Sequence, residues 1–495
     1  MEKKTVKSET GHPEAPRGGE LPWWHNLVNS AILGPVIDPN RTVFTNRTLR
    51  FDRINAVGFD LDHTLAIYNC SALDSLAMRL AIDRLIAHEN IPPALFDDLP
   101  EPSFARKGLI VDIELGNVLK VDRYGHVSIA YHGKDRLVGS EKRATYGDLD
   151  VIPHVTHGDR FVQVDSAFAQ PEILIYAGVA PHMKVGERKN LWRRIRHHTD
   201  TVHRDGSLKT VIMQSPLAFL VPEVDTLHLL HHLREGGKRV FLLTNSEWNY
   251  TQAIVQASLS GCNENWIDLF DLVVVEANKP SFFSSKAKKK GHPLNSDKVV
   301  EGGNIQDLEK RLGCNGPEIL YVGDHIYSDL ISSKRRTHWR TMLIISELEE
   351  ELDAHALLPG MVQQLKETED RRTHTEREVQ HWKAVEAALN RLEDSDHADL
   401  VQRFQRQCAR NREQAMHALG EFIHQREDLR AQISDATNSY WGSLFRAGTE
   451  LTYYGRQLED FACTYTSRAT NITLYPADHY FRSSMDYLPH ELESM

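Results

Sequence analysis

Ile54-Asn55-Ala56-Val57-Gly58-Phe59-Asp60-Leu61-Asp62-His63-Thr64 is a short apolar run that ends in a pair of carboxylates. Three further runs are built the same way. Val240-Phe241-Leu242-Leu243 leads into Thr244-Asn245, Leu272-Val273-Val274-Val275 leads toward Lys279, and Ile319-Leu320-Tyr321-Val322 leads into Gly323-Asp324. A fifth, Thr341 to Ile345, follows the fourth. Runs this short, apolar and β-branched read as strands buried on both faces. Helical patterns over Glu223 to Arg234 and Ile305 to Leu312 lie between them. Alternating strands and helices predict an α/β fold with a doubly wound, Rossmann-like parallel sheet. Such sheets bind ligands beyond the carboxyl ends of their strands, where all the polar residues just named would lie.

Outside that core the chain divides. About 180 residues separate the first two runs, far more than one crossover needs. Within them Gly108-Leu109-Ile110-Val111 and Val118-Leu119-Lys120-Val121-Asp122 read as strands, with Tyr124-Gly125-His126 as a turn. The insertion, residues 76–214, is expected to be a large α/β cap that recognises substrate. The catalytic core is expected at 26–75 and 215–355, and a flexible polar tail at 1–25. Helical spacing of Val379, Trp382, Val385, Leu389 and Leu392, then of Leu400, Phe404 and Cys408, and of Met416, Leu419 and Ile423, predicts a helical hairpin over 356–435. It would be an oligomerisation arm or a subdomain packed on its own chain. The aromatic-rich segment 436–495 is expected to pack on the core or at a subunit interface.

Composition narrows the function. A net charge of −11 does not suit a protein that coats nucleic acid. No uninterrupted apolar stretch approaches the roughly 18 residues of a membrane span, and Met1 to Glu20 lacks the apolar core of a signal peptide. The five cysteines, an odd number scattered along the chain, fit a reducing, cytoplasmic setting. The 26 histidines include no HExxH pattern, which leaves zinc catalysis without support.

The strand-end residues suit phosphoryl transfer. Asp60 can attack phosphorus, and Asp62 can protonate the leaving oxygen and later take a proton from water. Asp324 can complete an oxygen-rich site for magnesium, with Asp329 orienting its surroundings. Thr244, Asn245 and Lys279 can hold the phosphate. Taken singly, each has a plainer reading: a turn or N-cap carboxylate, a helix cap, a solvated lysine. Their order, each after its own apolar run, is what joins them into one site.

That order resembles the haloacid dehalogenase superfamily. Gly58-Phe59-Asp60-Leu61-Asp62-His63-Thr64-Leu65-Ala66-Ile67-Tyr68 and Phe241-Leu242-Leu243-Thr244-Asn245-Ser246 are similar to the cytosolic purine 5′-nucleotidases that prefer IMP and GMP. So are Tyr321-Val322-Gly323-Asp324-His325-Ile326-Tyr327-Ser328-Asp329, Trp339-Arg340-Thr341, Gly116-Asn117-Val118-Leu119-Lys120-Val121-Asp122 and Gly442-Ser443-Leu444-Phe445-Arg446. The resemblance implies hydrolysis of purine nucleoside 5′-monophosphates through an aspartyl-phosphate on Asp60, with phosphate transfer to a second nucleoside as a related activity. It implies Mg2+ on Asp60, the backbone carbonyl of Asp62, and Asp324, with Asp329 beside them. It implies that Phe168 stacks on the base, that Arg196 and Asp200 read the base edge, and that His203 and Lys209 lie near sugar and phosphate. From the residues alone, Phe168 also fits a core position, and Lys189, Arg193, Arg194 and Arg196 fit one solvated helix face. A homotetramer, binding a small nucleotide and neither nucleic acid nor membrane, is the implied assembly. Ala169 stands where relatives carry Asn, and Val155 to Asp165 departs from the family's effector segment. Two rivals remain: a phosphatase of the same core for another small phosphomonoester, and a non-catalytic scaffold using the 360–435 helices.

Overall fold

Ala56–Phe59, the strand that delivers Asp60, has all four side chains buried. It lies near the middle of a sheet in the computed structural model, which describes residues 37–147, 152, 158–221, 225–259, 265–284, 291–294, 296–392 and 398–483. The expected tail at 1–25, Cys262, and residues 155–157 of the effector-like segment lie outside the described residues. The fold falls within the unit Asn40–Met495.

Among the described residues, nine strands form the main sheet. Their order is Phe44–Thr45, Thr464–Thr466, Arg340–Ile344, Ile319–Gly323, Ala56–Phe59, Arg239–Leu243, Leu272–Val275, Ser296–Glu301 and His292–Leu294. The two outermost strands pair antiparallel; every other pairing is parallel. The expected parallel α/β sheet is therefore present, and the strands named from sequence are its central ones. Following the chain, the sheet grows from Ala56–Phe59 to one side and then from Ile319–Gly323 to the other. The switch in direction lies between these two strands, where α/β sheets open a crevice.

Gly58 is required by the packing of this centre. A Cβ there would lie 2.1 Å from Cζ of Phe241 on the neighbouring strand. Phe241 in turn meets Trp339, with ring centroids 6.1 Å apart at 71°, within a cluster that includes Val274, Phe283 and Tyr321.

Between Phe59 and Arg239 lies a second sheet of five strands, all antiparallel, in the order Asp135–Arg136, Val127–His132, Asn117–Val121, Leu109–Asp112 and Phe161–Val164. Helices Cys70–Glu89, Gln170–Val179 and Val185–Arg204 pack on one another beside it. Their shared core runs from Ala81 and Leu85 through Val111 and Val118 to Ile173 and Leu191, and takes in Trp441 from the C-terminal segment. Trp441 Nε1 donates to the carbonyl of Phe104 at 2.6 Å, and Lys120 Nζ donates to the carbonyls of Trp441 and Ser443 at 2.6 Å each.

Pro359–Leu389 and Ala398–Thr437 form a pair of long packed helices. The seam differs from the stripe read in the sequence. Val379 and Cys408 are buried as expected, but Leu400, Phe404 and Met416 are exposed. The second helix buries Val401, Cys408 and Ala415 instead, at seven-residue spacing, the period of two helices that wind along a common seam. No described helix is long and apolar enough to cross a membrane.

Candidate active site

Four neighbouring strands end at one place. Asp324 follows Ile319–Gly323, Asp60 follows Ala56–Phe59, Thr244 follows Arg239–Leu243, and the loop after Leu272–Val275 carries Lys279. Lys279 is buried and bridges two carboxylates: Nζ lies 2.9 Å from Asp60 Oδ1 and 2.8 Å from Asp329 Oδ1. It also donates to the hydroxyl of Tyr321 at 2.9 Å. Burial works against the Lys279 ammonium, but Asp329 and Asp60 outweigh it and hold its pKa well above the ordinary value.

The loop that presents Lys279 is fixed at its backbone. Lys279 N donates to Asn245 Oδ1 at 2.6 Å, and Asn245 Nδ2 donates to Lys279 O at 3.1 Å. The Asn245 side chain thus holds the lysine loop in place. Glu276 and Asn278, just before it, have φ of 48° and 57°, left-handed values that are uncommon for non-glycine residues and concentrate at functional sites. Gly323 is also demanded locally, since a Cβ there would lie 2.5 Å from Asp329 Oδ2. Asp329 sits in a single π-helical turn, Ile326–Ile331, and is fully buried.

Asp60, Asp324 and Asp329 each present an oxygen within 4.8 Å of the other two. Such an all-oxygen set fits a hard divalent cation. Both oxygens of Asp329 are engaged, by Lys279 and by the backbone N–H of His325, whereas Lys279 and the N–H of Leu61 engage only Oδ1 of Asp60, so Asp60 and Asp324 are the better placed direct donors. Burial pushes the Asp60 carboxyl well above its ordinary value despite Lys279. Burial likewise lifts Asp324 to about 6, with Lys107 opposing. A second cation would relieve both. The Asp62 side chain turns away from this cluster: it accepts from Tyr68 Oη at 2.7 Å and from Ser246 Oγ at 3.0 Å.

A cavity of about 620 Å³ opens from these groups, within the range of small-molecule sites. Asp60, Asp62, Thr244, Asn245, Lys279 and Asp324 line one part; Phe168, Arg196, Asp200, His203 and Lys209 also line it. Every residue given a site role from sequence therefore borders one space, except the fully buried Asp329. The two groups come from different elements. Phe168 lies in the turn Ala167–Ala169, and Arg196, Asp200 and His203 lie one turn apart along Val185–Arg204. The Phe168 and His203 rings meet edge to face, centroids 5.4 Å apart. Lys209 pairs with Glu247 at 3.2 Å and sits over the Tyr250 ring.

Sequence reasoning missed several members. Lys107 is buried 3.9 Å from Asp324 Oδ2 and 3.5 Å from Glu347 Oε2. Burial lowers its pKa, but Glu347 and other partners more than reverse this and hold it above the ordinary value. Glu172 lines the same cavity beside Arg196 and Asp200. Ser246 had a legible signal, since it directly follows Thr244-Asn245. Lys107, Glu172 and Glu347 had none, because nothing in their neighbouring residues distinguishes them from solvated charges.

The comparisons with known proteins point the same way. The chain is 28% identical over 514 residues to 5′-nucleotidase domain-containing protein 2 of Homo sapiens, covering 99% of this chain and 91% of that one. It is 28% identical over 493 residues to the protein of the same name from Rattus norvegicus, covering 94% and 82%. A 5′-nucleotidase domain-containing protein of Dictyostelium discoideum is 28% identical over 483 residues, covering 93% of this chain and 76% of its own length. A family model described as the 5′-nucleotidase family matches residues 43–493. With that match spanning nearly the whole chain, the chain belongs to the 5′-nucleotidase family.

Proposed function

We propose that this enzyme is a magnesium-dependent phosphatase for purine nucleoside 5′-monophosphates of the 6-oxo type, IMP and GMP, and that it works through a phosphorylated Asp60. The observation that carries the reading is one cavity shared by Asp60, Asp62, Lys279 and Asp324 and by Phe168, Arg196 and Asp200. The first four suit a phosphoryl group. The last three suit a planar base: an aromatic face for stacking, an Arg donor for O6 and an Asp acceptor for N1–H.

In the first step an Asp60 carboxylate oxygen bonds to phosphorus and the bond from phosphorus to O5′ breaks. Asp62, oriented by Tyr68 and Ser246, gives its proton to O5′, and the nucleoside leaves. In the second step Asp62 takes a proton from water as the water oxygen bonds to phosphorus, which returns Asp60 and releases phosphate. Lys279 and the backbone around Thr244 and Asn245 hold the phosphoryl oxygens in both steps. Asp60 and Asp324 would hold Mg2+, with the Asp62 carbonyl, and the ion would offset charge on the phosphate. Another nucleoside's hydroxyl could replace water in the second step, giving phosphate transfer.

The test is phosphate release from IMP, GMP, AMP, UMP and a sugar phosphate, measured side by side with and without magnesium. The reading expects magnesium-dependent release that is greatest for IMP or GMP. Equal rates on the sugar phosphate would favour a general phosphomonoesterase, and no release from any of them would favour a scaffold.

A further inference from the structure

A second cavity, of about 580 Å³, shares no lining residue with the active-site cavity. Its walls come mainly from the last turns of helix Ala398–Thr437, from helix Glu347–Leu357, and from the two-stranded hairpin of Arg446–Ala447 and Glu450–Leu451. Arg426 and Arg430 line it one turn apart on the long helix, and Arg446 lines it from the hairpin. The stretch Gly442 to Arg446, which takes no part in the active site, supplies both Arg446 and Ser443 to these walls.

The carboxylates nearby do not satisfy these guanidiniums. Glu369, on the neighbouring helix Pro359–Leu389, is shared by three of them. Arg372 Nε takes its Oε2 at 2.9 Å, whereas Arg430 Nη2 stands 3.5 Å from Oε1 and Arg426 Nη1 stands 3.9 Å from Oε2. Glu351 lines the cavity, but its oxygens accept from Ser443 Oγ and from the N–H of Leu444. Glu427 is exposed and 3.7 Å from Arg426 Nη2. Nε of Arg426 and Nη1 of Arg430 are buried and have no acceptor among the described residues. A buried donor without an acceptor keeps its desolvation cost. Burial lowers the Arg430 pKa; Glu369 opposes this, and Arg426, Arg446 and Arg372 add to it. The cavity is thus short of acceptors, although the chain carries a net charge of −11. A carboxylate offers two oxygens. A phosphate group offers three or more and up to two charges, and guanidinium forks match its oxygens in pairs.

We propose that this cavity is a second anion site, separate from the active site, in which Arg426, Arg430 and Arg446 hold a phosphate group, free or carried by a small molecule. Its volume falls within the range of small-molecule sites, so an ester has space for its organic part. The proposal does not depend on the chemistry assigned to Asp60. Each charge-assisted hydrogen bond to the phosphate contributes about 10- to 100-fold in affinity.

The experiment titrates the full-length protein with inorganic phosphate and with glucose 6-phosphate by calorimetry, at low salt and with EDTA to keep magnesium from the acidic active site. The wild type is expected to bind at least one of the two probes, and the tighter probe distinguishes free ion from ester. Arg430→Gln and Arg446→Gln are each expected to weaken that binding by about ten-fold or more. Arg446 is exposed, so its variant decides the matter if Arg430→Gln does not fold. A wild type that binds neither probe overturns the proposal. Binding that is unchanged in Arg446→Gln places the phosphate elsewhere and overturns it as well.

Discussion

At the scale of single residues, the enzyme concentrates buried charge. Carboxylates and ammonium groups cost several kcal/mol each when taken out of water unless they are paired. Lys279 is paired with Asp60 and Asp329, and Lys107 with Glu347 and Asp324. Glu172 and Asp74 are less well compensated, and burial pushes each carboxyl up to about 7. Arg196 partly opposes this for Glu172, and Glu347 adds to it for Asp74. The sign follows from linkage. Below about pH 3 both groups are protonated in the folded and unfolded chain. Between about 4 and 7 the unfolded chain has released protons that the folded protein keeps, so stability falls as pH rises through that interval and levels off above it. Replacing both residues, Glu172→Gln with Asp74→Asn, is expected to flatten this decline by about 1–3 kcal/mol. Thermal melts of both proteins at about pH 5, 6, 7 and 8 check it; parallel profiles would show that these groups do not titrate with folding.

At the scale of elements, what was legible in the sequence follows from how a parallel sheet is built. Central strands are covered on both faces, so Ala56–Phe59, Arg239–Leu243, Leu272–Val275 and Ile319–Gly323 read as unbroken apolar runs, and the residues after them read as a site. Outer strands carry no such mark. Ser296–Glu301 buries only Val299 and Val300, and Thr464–Thr466 gains its burial from Arg340–Ile344, more than a hundred residues earlier in the chain. The helical hairpin was legible as a hairpin, but its seam was misjudged because Leu400, Phe404 and Met416 share helical spacing without facing the partner helix. Lys107 and Glu172 were illegible for a related reason: their partners lie on other elements. The close fit of the central strands has a direct consequence. Gly58→Ala places a methyl 2.1 Å from the Phe241 ring, which is itself packed against Trp339 and Tyr321. Overpacking of this kind costs about 1–3 kcal/mol. Chemical denaturation should show that loss with an unchanged m-value; a neutral result would mean that the strands separate more easily than their packing indicates.

At the scale of the molecule, the site depends on two sheets staying in register with each other. The main sheet supplies Asp60, Thr244, Lys279 and Asp324, whereas Phe168, Arg196, Asp200 and Glu172 come from the segment inserted between two of its strands. The C-terminal segment links them. Thr464–Thr466 joins the main sheet, while Trp441 is buried in the core of the inserted segment and bonded to Phe104 and Lys120. Trp441→Ala is expected to cost about 3–5 kcal/mol by opening a cavity and, on the proposed function, to raise KM for the nucleotide more than it lowers kcat, because it loosens the elements that carry Phe168 and Arg196 from those that carry Asp60 and Lys279. Melting temperature and steady-state kinetics on the same preparation separate the two effects. A loss of stability with KM unchanged would show that the inserted segment holds its position without this anchor.

The covalent role proposed for Asp60 can be examined by itself. Enzyme turning over 32P-labelled IMP or GMP with magnesium is quenched in acid, digested, and searched for labelled peptide. The account predicts label on the peptide containing Asp60, released by hydroxylamine as an acyl phosphate should be, and absent from Asp60→Asn. Turnover with no label on any peptide, or undiminished phosphate release by Asp60→Asn, would contradict it.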